Sequence, residues 1–291
     1  MRSSPIPPRA VLPLLGLASY TLALAAEPEK GMTRASGRAY ALIIGVAEYD
    51  DPAISDLSFA HRDAYTLSET LLRSGRYGAD DVIVLTTDQP DPTLRPTSQN
   101  IERQLTALGE VRGADSLLVF FSGHGGAELV GRDRTNSLFP ADAKYPSKDK
   151  PVQGAVSVQW LTSTLQSMSG FRAHALFMDA CRSSTGEKAL GGRYFVQPKT
   201  TQRLDVRAAL PDLQVVYSAE FGQPSFEEET FGLGQFTYAL KRGLEGEADG
   251  VHQQDMGAAD GWVTVSELHR WSTVVLPQMA RSQIPYLGGE A

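Results

Sequence analysis

Ser116-Leu117-Leu118-Val119-Phe120-Phe121-Ser122-Gly123-His124-Gly125-Gly126 is the stretch that decides the fold. Its apolar run is too short for a helix and too continuous for a strand with one wet face, so it reads as a strand covered on both sides. A second segment repeats the design: the largely apolar run 173–178 leads into Phe177-Met178-Asp179-Ala180-Cys181-Arg182-Ser183, with a cysteine where the first segment has its histidine. Each segment delivers a reactive side chain on the turn at the carboxyl end of a buried strand. Cys181 is the single cysteine of the 291-residue chain.

Outward from these two, short apolar runs recur at 40–46, 82–85 and 213–217. Helical spacing lies between them. Leu57, Ala60, Ala64, Leu67 and Leu71 recur at three- and four-residue steps, Ile101, Leu105 and Leu108 do the same, and Trp160, Thr164 and Gln166 mark a weaker pattern. Strand alternating with helix predicts an α/β fold with right-handed crossovers and a mostly parallel central sheet flanked by helices. Two stretches read as long loops, 125–156 and 183–211, and both begin next to the reactive pair.

In an open parallel sheet the strands end at one edge, where ligands bind. Neighbouring strands lie about 4.8 Å apart, so residues at equal offsets past their ends can meet. His124 is three residues beyond Phe121, and Cys181 is three beyond Met178. An imidazole beside a thiol can take its proton or stabilise the thiolate, and the peptide N–H groups of Gly125 and Cys181 are placed to bind an oxyanion. These parts suit acyl transfer. His61, His174, His252 and His269 lack such a setting. A nucleotide-binding reading is weak, because Gly45-Val46-Ala47-Glu48 after the first strand is no phosphate loop.

Composition agrees with a globular chain: 42% hydrophobic and 21% charged residues, with a net charge of −7 and no basic stripe, which argues against nucleic acid as a partner. Arg2 and Arg9, an apolar stretch over 10–26 and a small-residue end ahead of Glu27 have the order of a signal peptide, 1–26, followed by a linker, 27–37. An uncleaved membrane anchor is the other reading of that stretch. Cleavage leaves an exported protein, periplasmic or extracellular, with no membrane partner. A lone cysteine forms no disulfide within the chain.

The quoted segments resemble the caspase-like cysteine peptidases, a clan that includes caspases and metacaspases. Asp179-Ala180-Cys181-Arg182-Ser183 is similar to the Asp-x-Cys form of metacaspases and bacterial relatives. Further matches follow in family order: 41–46 with Tyr49, Arg62-Asp63-Ala64, Leu138-Phe139-Pro140-Ala141-Asp142, and Val215-Val216-Tyr217-Ser218-Ala219. The resemblance implies a caspase-like (caspase-hemoglobinase) three-layer sandwich over 38–291, with a large-subunit-like part at 38–183, a linker loop at 184–211 and a small-subunit-like part at 212–291. It implies a Cys181–His124 dyad, a peptide or protein substrate and no required cofactor. The oligomeric state stays open.

Asp63 matches an acid that lines the first specificity pocket of metacaspases, and Asp179 stands where caspases carry Gln. Carboxylates in a cleft invite a cationic partner, so the pair implies cleavage after Arg or Lys, with Ser218 as a lesser candidate for the pocket wall. Asp63 supporting its own helix and Asp179 orienting the nucleophile loop is the competing reading. A catalytically silent scaffold or binding module with the same fold is the alternative to an enzyme.

Fainter signals remain. Residues 260–267 match half of a calcium loop, but Met256 and Ala258 occupy earlier ligand positions, and Thr264 with Glu267 fits a helix capping box. Calcium activation therefore has no support in this stretch, and no metal site is expected. Arg193, Lys199, Arg203 and Arg207 are candidate self-cleavage positions, and Glu227-Glu228-Glu229 reads as a surface charge cluster.

Overall fold

A computed structural model of the chain describes residues 37–130, 133–147, 150–180, 213–218, 227–228, 232–251, 259–279 and 286–288. All fall within the unit Ala35–Ala291. The apolar runs form β1 (Ala39–Gly45), β2 (Tyr77–Thr86) and β3 (Ala114–Ser122). Between them lie α1 (Ala60–Arg73) and α2 (Ser98–Gly109). A hairpin of β4 (Gly125–Val130) and β5 (Asp133–Leu138) follows, then β6 (Val156–Ser157), α3 (Val158–Ser167), β7 (Phe171–Asp179) and β8 (Leu213–Tyr217). The chain closes with β9 (Glu227–Glu228), β10 (Leu233–Gly234), α4 (Gln235–Arg242), α5 (Val265–Met279) and β11 (Tyr286–Gly288).

The central sheet has the order β11-β8-β7-β3-β1-β2, parallel throughout except for β11, which runs antiparallel to β8. Side chains of a strand alternate between faces, and here each face has its own core. Leu42, Ile44, Val119, Phe121, Leu176, Met178 and Val215 pack with Ile101 and Leu105 of α2 and Leu161 and Leu165 of α3. Ala41, Ile43, Leu118, Phe120, Phe177 and Val216 pack with α1, α4 and α5 through Ala64, Leu67, Phe236, Leu240, Leu268 and Leu276. That division explains why the central strands carry continuous apolar runs, such as 41–44, 117–121 and 175–178, rather than alternating residues. It makes the fold the three-layer α/β sandwich expected.

α1 sits unusually close to the sheet. A Cβ on Gly45 would lie 2.3 Å from the Ala60 carbonyl oxygen and 2.9 Å from the Ala64 Cβ, so only glycine lets the first turn of α1 rest on the end of β1. The carboxyl ends of the strands are aligned by the register Gly45↔Thr86, Gly45↔Ser122, Ser122↔Asp179 and Met178↔Tyr217. Beyond them the ladder continues through Val46 N–H to Ser122 O, Gly123 N–H to Asp179 O and Ser218 N–H to Met178 O. The rim is therefore a knitted line of backbone.

Several expectations need correction. The stretch 125–156 is not one long loop: β4, β5 and β6 form a second, antiparallel sheet there, whose polar, glycine-rich strands lack the apolar run that marks the central sheet. In α3 the core face is Val158, Leu161, Thr162 and Leu165, while Trp160 is 41% exposed. The weak period read from Trp160 followed the outer face. Leu57 precedes α1 rather than opening it. Of the glutamate cluster, Glu227 and Glu228 form β9 and pair with β10, while Glu229 lies outside the described residues. The segments 1–36 and 183–211, with Arg193, Lys199, Arg203 and Arg207, also lie outside them. No helix among the described residues is long and apolar enough to cross a membrane.

Candidate active site

His124 stands between the central sheet and the β4–β5 sheet. Its carbonyl accepts the Phe139 N–H at 2.9 Å, and Gly125 opens β4 opposite Leu138. The imidazole is 5% exposed, and Nε2 lies 2.8 Å from the Ser55 carbonyl oxygen. A carbonyl only accepts, so Nε2 carries the proton and Nδ1 is left as the basic nitrogen. Burial holds the His124 pKa below the ordinary histidine value, against the opposing pull of the Ser55 carbonyl and the nearby Asp56 charge. The ring is thus neutral near pH 7 and able to take a proton.

Cys181 lies outside the described residues, which end at the buried Ala180 on that side. The strands leading into the two residues are neighbours, as the equal offsets required: Phe121 pairs with Met178 and Ser122 with Asp179. A small cavity of about 10 Å³, room for one water, is lined by Gly126, Leu138, Met178, Ala180 and Tyr217 among others.

The acids meet at the same rim. Asp63, in the first turn of α1, is 2% exposed, and its carboxyl does not turn back on its own helix. Oδ2 accepts the Ser122 hydroxyl at 2.8 Å, and Oδ1 accepts the Gly234 N–H at 2.8 Å. Asp179, the last residue of β7, is 6% exposed. A Cβ on Gly234 would sit 2.7 Å from Asp179 Oδ2 and 3.0 Å from Asp63 Oδ2, so both carboxyls face the point that this glycine leaves free. Burial, and secondarily the Asp179 charge, pushes the Asp63 pKa up to about 8, while Gly234 and Ser122 oppose the rise. Ser218 follows β8 beside Asp179 and is fully buried, bonded through its N–H to Met178 O.

Of the sequence-predicted residues, the structure gathers His124, Gly125, Asp63, Asp179 and Ser218 along one edge. Sequence reasoning missed Ser55, Ser122 and Gly234. Ser122 carried a faint signal as the polar residue ending an apolar strand. Ser55 acts through its backbone, and Gly234 through the side chain it lacks, so neither residue type announces itself.

Among the described residues no group of three or more His, Cys, Asp or Glu could hold a metal ion. Glu267 is engaged otherwise. Its Oε2 accepts the Thr264 N–H and hydroxyl, each at 2.8 Å, its Oε1 accepts the Gly250 N–H at 3.1 Å, and its own N–H donates to Thr264 Oγ1 at 3.2 Å. That is the capping box expected. Asp142, from the quoted 138–142 match, serves the fold as well, accepting the Ser98 N–H and hydroxyl at the start of α2.

Residues 38–285 match the caspase domain family. Metacaspase-1 of Pyricularia oryzae is 31% identical over 161 residues, 53% of this chain and 38% of that protein. Metacaspase-1B of Neurospora crassa is 36% identical over 159 residues, 53% of this chain and 35% of that protein. The matched stretch thus spans well under half the length of these relatives. Among solved structures, Caspase-1 from Spodoptera frugiperda superposes with a TM-score of 0.56 at 16% identity, covering 91% of this chain and 94% of that one. A Geobacter sulfurreducens protein, GSU0716, gives a TM-score of 0.54 at 16% identity, covering 87% and 94%. At that identity the likeness speaks to the fold.

Proposed function

Because the chain belongs to the caspase domain family of peptidases, we propose that it is a cysteine endopeptidase that cleaves after Arg or Lys. In this reading Cys181 Sγ attacks the scissile carbonyl carbon as its proton passes to His124 Nδ1. The carbonyl oxygen gains the negative charge, bound by the N–H groups of Gly125 and Cys181. Collapse of that intermediate breaks the C–N bond, and His124 returns the proton to the departing amine. Water then attacks the thioester, assisted by the same imidazole, and releases the acid and the free thiol.

One observation carries the reading: the in-register pairing of Phe121 with Met178, which leads the chain into His124 and Cys181 at equal offsets. The fixed Nε2–H tautomer of His124 supports the assignment of Nδ1 as base. Preference for a cation rests on Asp63 and Asp179 facing the space beside Gly234, with Ser218 on the neighbouring strand as part of the wall. The mechanism calls on no cofactor, and an exported location follows from reading 1–26 as a signal peptide.

Fluorogenic peptides with Arg, Lys or Asp at the cleaved position, run on wild type and Cys181→Ala, test the proposal. Turnover of the Arg and Lys peptides and its loss in Cys181→Ala by at least about 10³-fold are expected. Turnover of Asp peptides alone refutes the preference. Activity that survives Cys181→Ala refutes the nucleophile, and a wild type that cleaves none of the panel favours the silent scaffold.

A further inference from the structure

Among the described residues, the grip on the His124 side chain comes from the segment between β1 and α1. Three contacts converge there on Tyr49. Its hydroxyl accepts the His124 peptide N–H at 2.7 Å. Its ring lies on the imidazole, with centroids 5.2 Å apart and planes inclined by 30°. Its own N–H donates to Asp56 Oδ1 at 2.9 Å, which anchors it to the turn that presents the Ser55 carbonyl. The surroundings make room for this contact: a Cβ on Gly123 would stand 3.2 Å from the Tyr49 hydroxyl and 2.9 Å from the Phe121 ring.

We propose that Tyr49 is the positioning residue of the base, fixing the height of the His124 backbone with its hydroxyl and the plane of the imidazole with its ring, so that Nε2 meets Ser55 and Nδ1 is left as the base. The two actions are separable in chemistry. An imidazole given a half-turn about its Cβ–Cγ bond would put Cε1 where Nε2 stands and Cδ2 where Nδ1 stands, and the Ser55 carbonyl would then no longer select the tautomer. A flat ring packed against the imidazole resists that rotation, while the hydroxyl satisfies a buried N–H that would otherwise go without an acceptor. Asp56, whose carboxylate receives the Tyr49 N–H, is also the charge that faces His124 from this segment.

The proposal rests on reading His124 as the base of a peptidase, and the test separates the two. Tyr49→Phe removes the acceptor and keeps the ring; Tyr49→Leu removes both. With an Arg peptide, Tyr49→Phe is expected to lower kcat by about tenfold to a hundredfold with KM within about twofold, and Tyr49→Leu to lower it further. Imidazole ¹⁵N shifts, assigned by the signal lost in His124→Asn, are expected to report a pure Nε2–H tautomer in wild type and a mixture of tautomers in Tyr49→Leu. Both variants keeping wild-type kcat and wild-type shifts would overturn the proposal. So would a loss of kcat that tracks a fall in Tm while the tautomer is unchanged, since that marks a merely structural role. A wild type that cleaves no peptide but whose tautomer still responds to Tyr49→Leu upholds the positioning and removes the peptidase reading.

Discussion

Asp63 is the residue in which burial and chemistry pull hardest against each other. Its carboxyl is held near 8 in the fold and near 3.8 in an unfolded chain. A raised value means that the native state binds the proton more tightly, so its contribution is full below about pH 4 and is lost as pH rises through about 8. The substrate-free protein is therefore expected to lose Tm between those limits, and Asp63→Asn, which keeps a neutral group in place, to flatten that part of the Tm-versus-pH curve. A wild-type curve that Asp63→Asn leaves unchanged would show that the carboxyl titrates normally. If the proposed preference for Arg holds, the same proton has to leave before the cationic side chain can pair with the acid, so KM for an Arg peptide should fall with rising pH in wild type but not in Asp63→Asn. Ser122 and Gly234 hold this carboxyl, and apart from the faint mark of Ser122 as a polar residue closing an apolar strand, the sequence did not point to them as its partners. Asp63 is 59 positions away in one case and 171 in the other, farther than any local periodicity reaches.

Elements of the central sheet were legible because two-sided burial writes itself into composition: β3 and β7 had to be apolar almost throughout, and only a short buried strand fits that pattern. Where one side is wet or polar the signal fades. The β4–β5 hairpin hid in a stretch rich in Gly, Asp and Lys, and α3 misled because its most conspicuous residue, Trp160, points to solvent. The start of α5 was readable for a different reason, since a capping box is local chemistry four residues long. Thr264→Ala removes the acceptor of the Glu267 N–H and one donor to its buried carboxylate. A loss of about 1 kcal/mol is expected from urea unfolding, and no loss would mean that the helix start is held by packing alone.

At the scale of the molecule, one sheet separates two cores, and Phe120 lies at the centre of the core shared by α1, α4 and α5. It is fully buried, so Phe120→Ala should cost about 3–5 kcal/mol in denaturant unfolding. A much smaller cost would mean that the helices on that face collapse into the space. The sequence announced this layering but not how the rim is fed. A single passage of chain, 46–63, supplies Tyr49, Ser55 and Asp56 to the imidazole and then, one helical turn into α1, Asp63 to the acid pair. In the proposed mechanism, turnover and discrimination are thereby wired in series through one short segment seated on Gly45. A library that diversifies it would return variants that lose both traits together, and a search for altered preference at undiminished speed belongs instead on β10, where Gly234 meets the two acids from outside that segment.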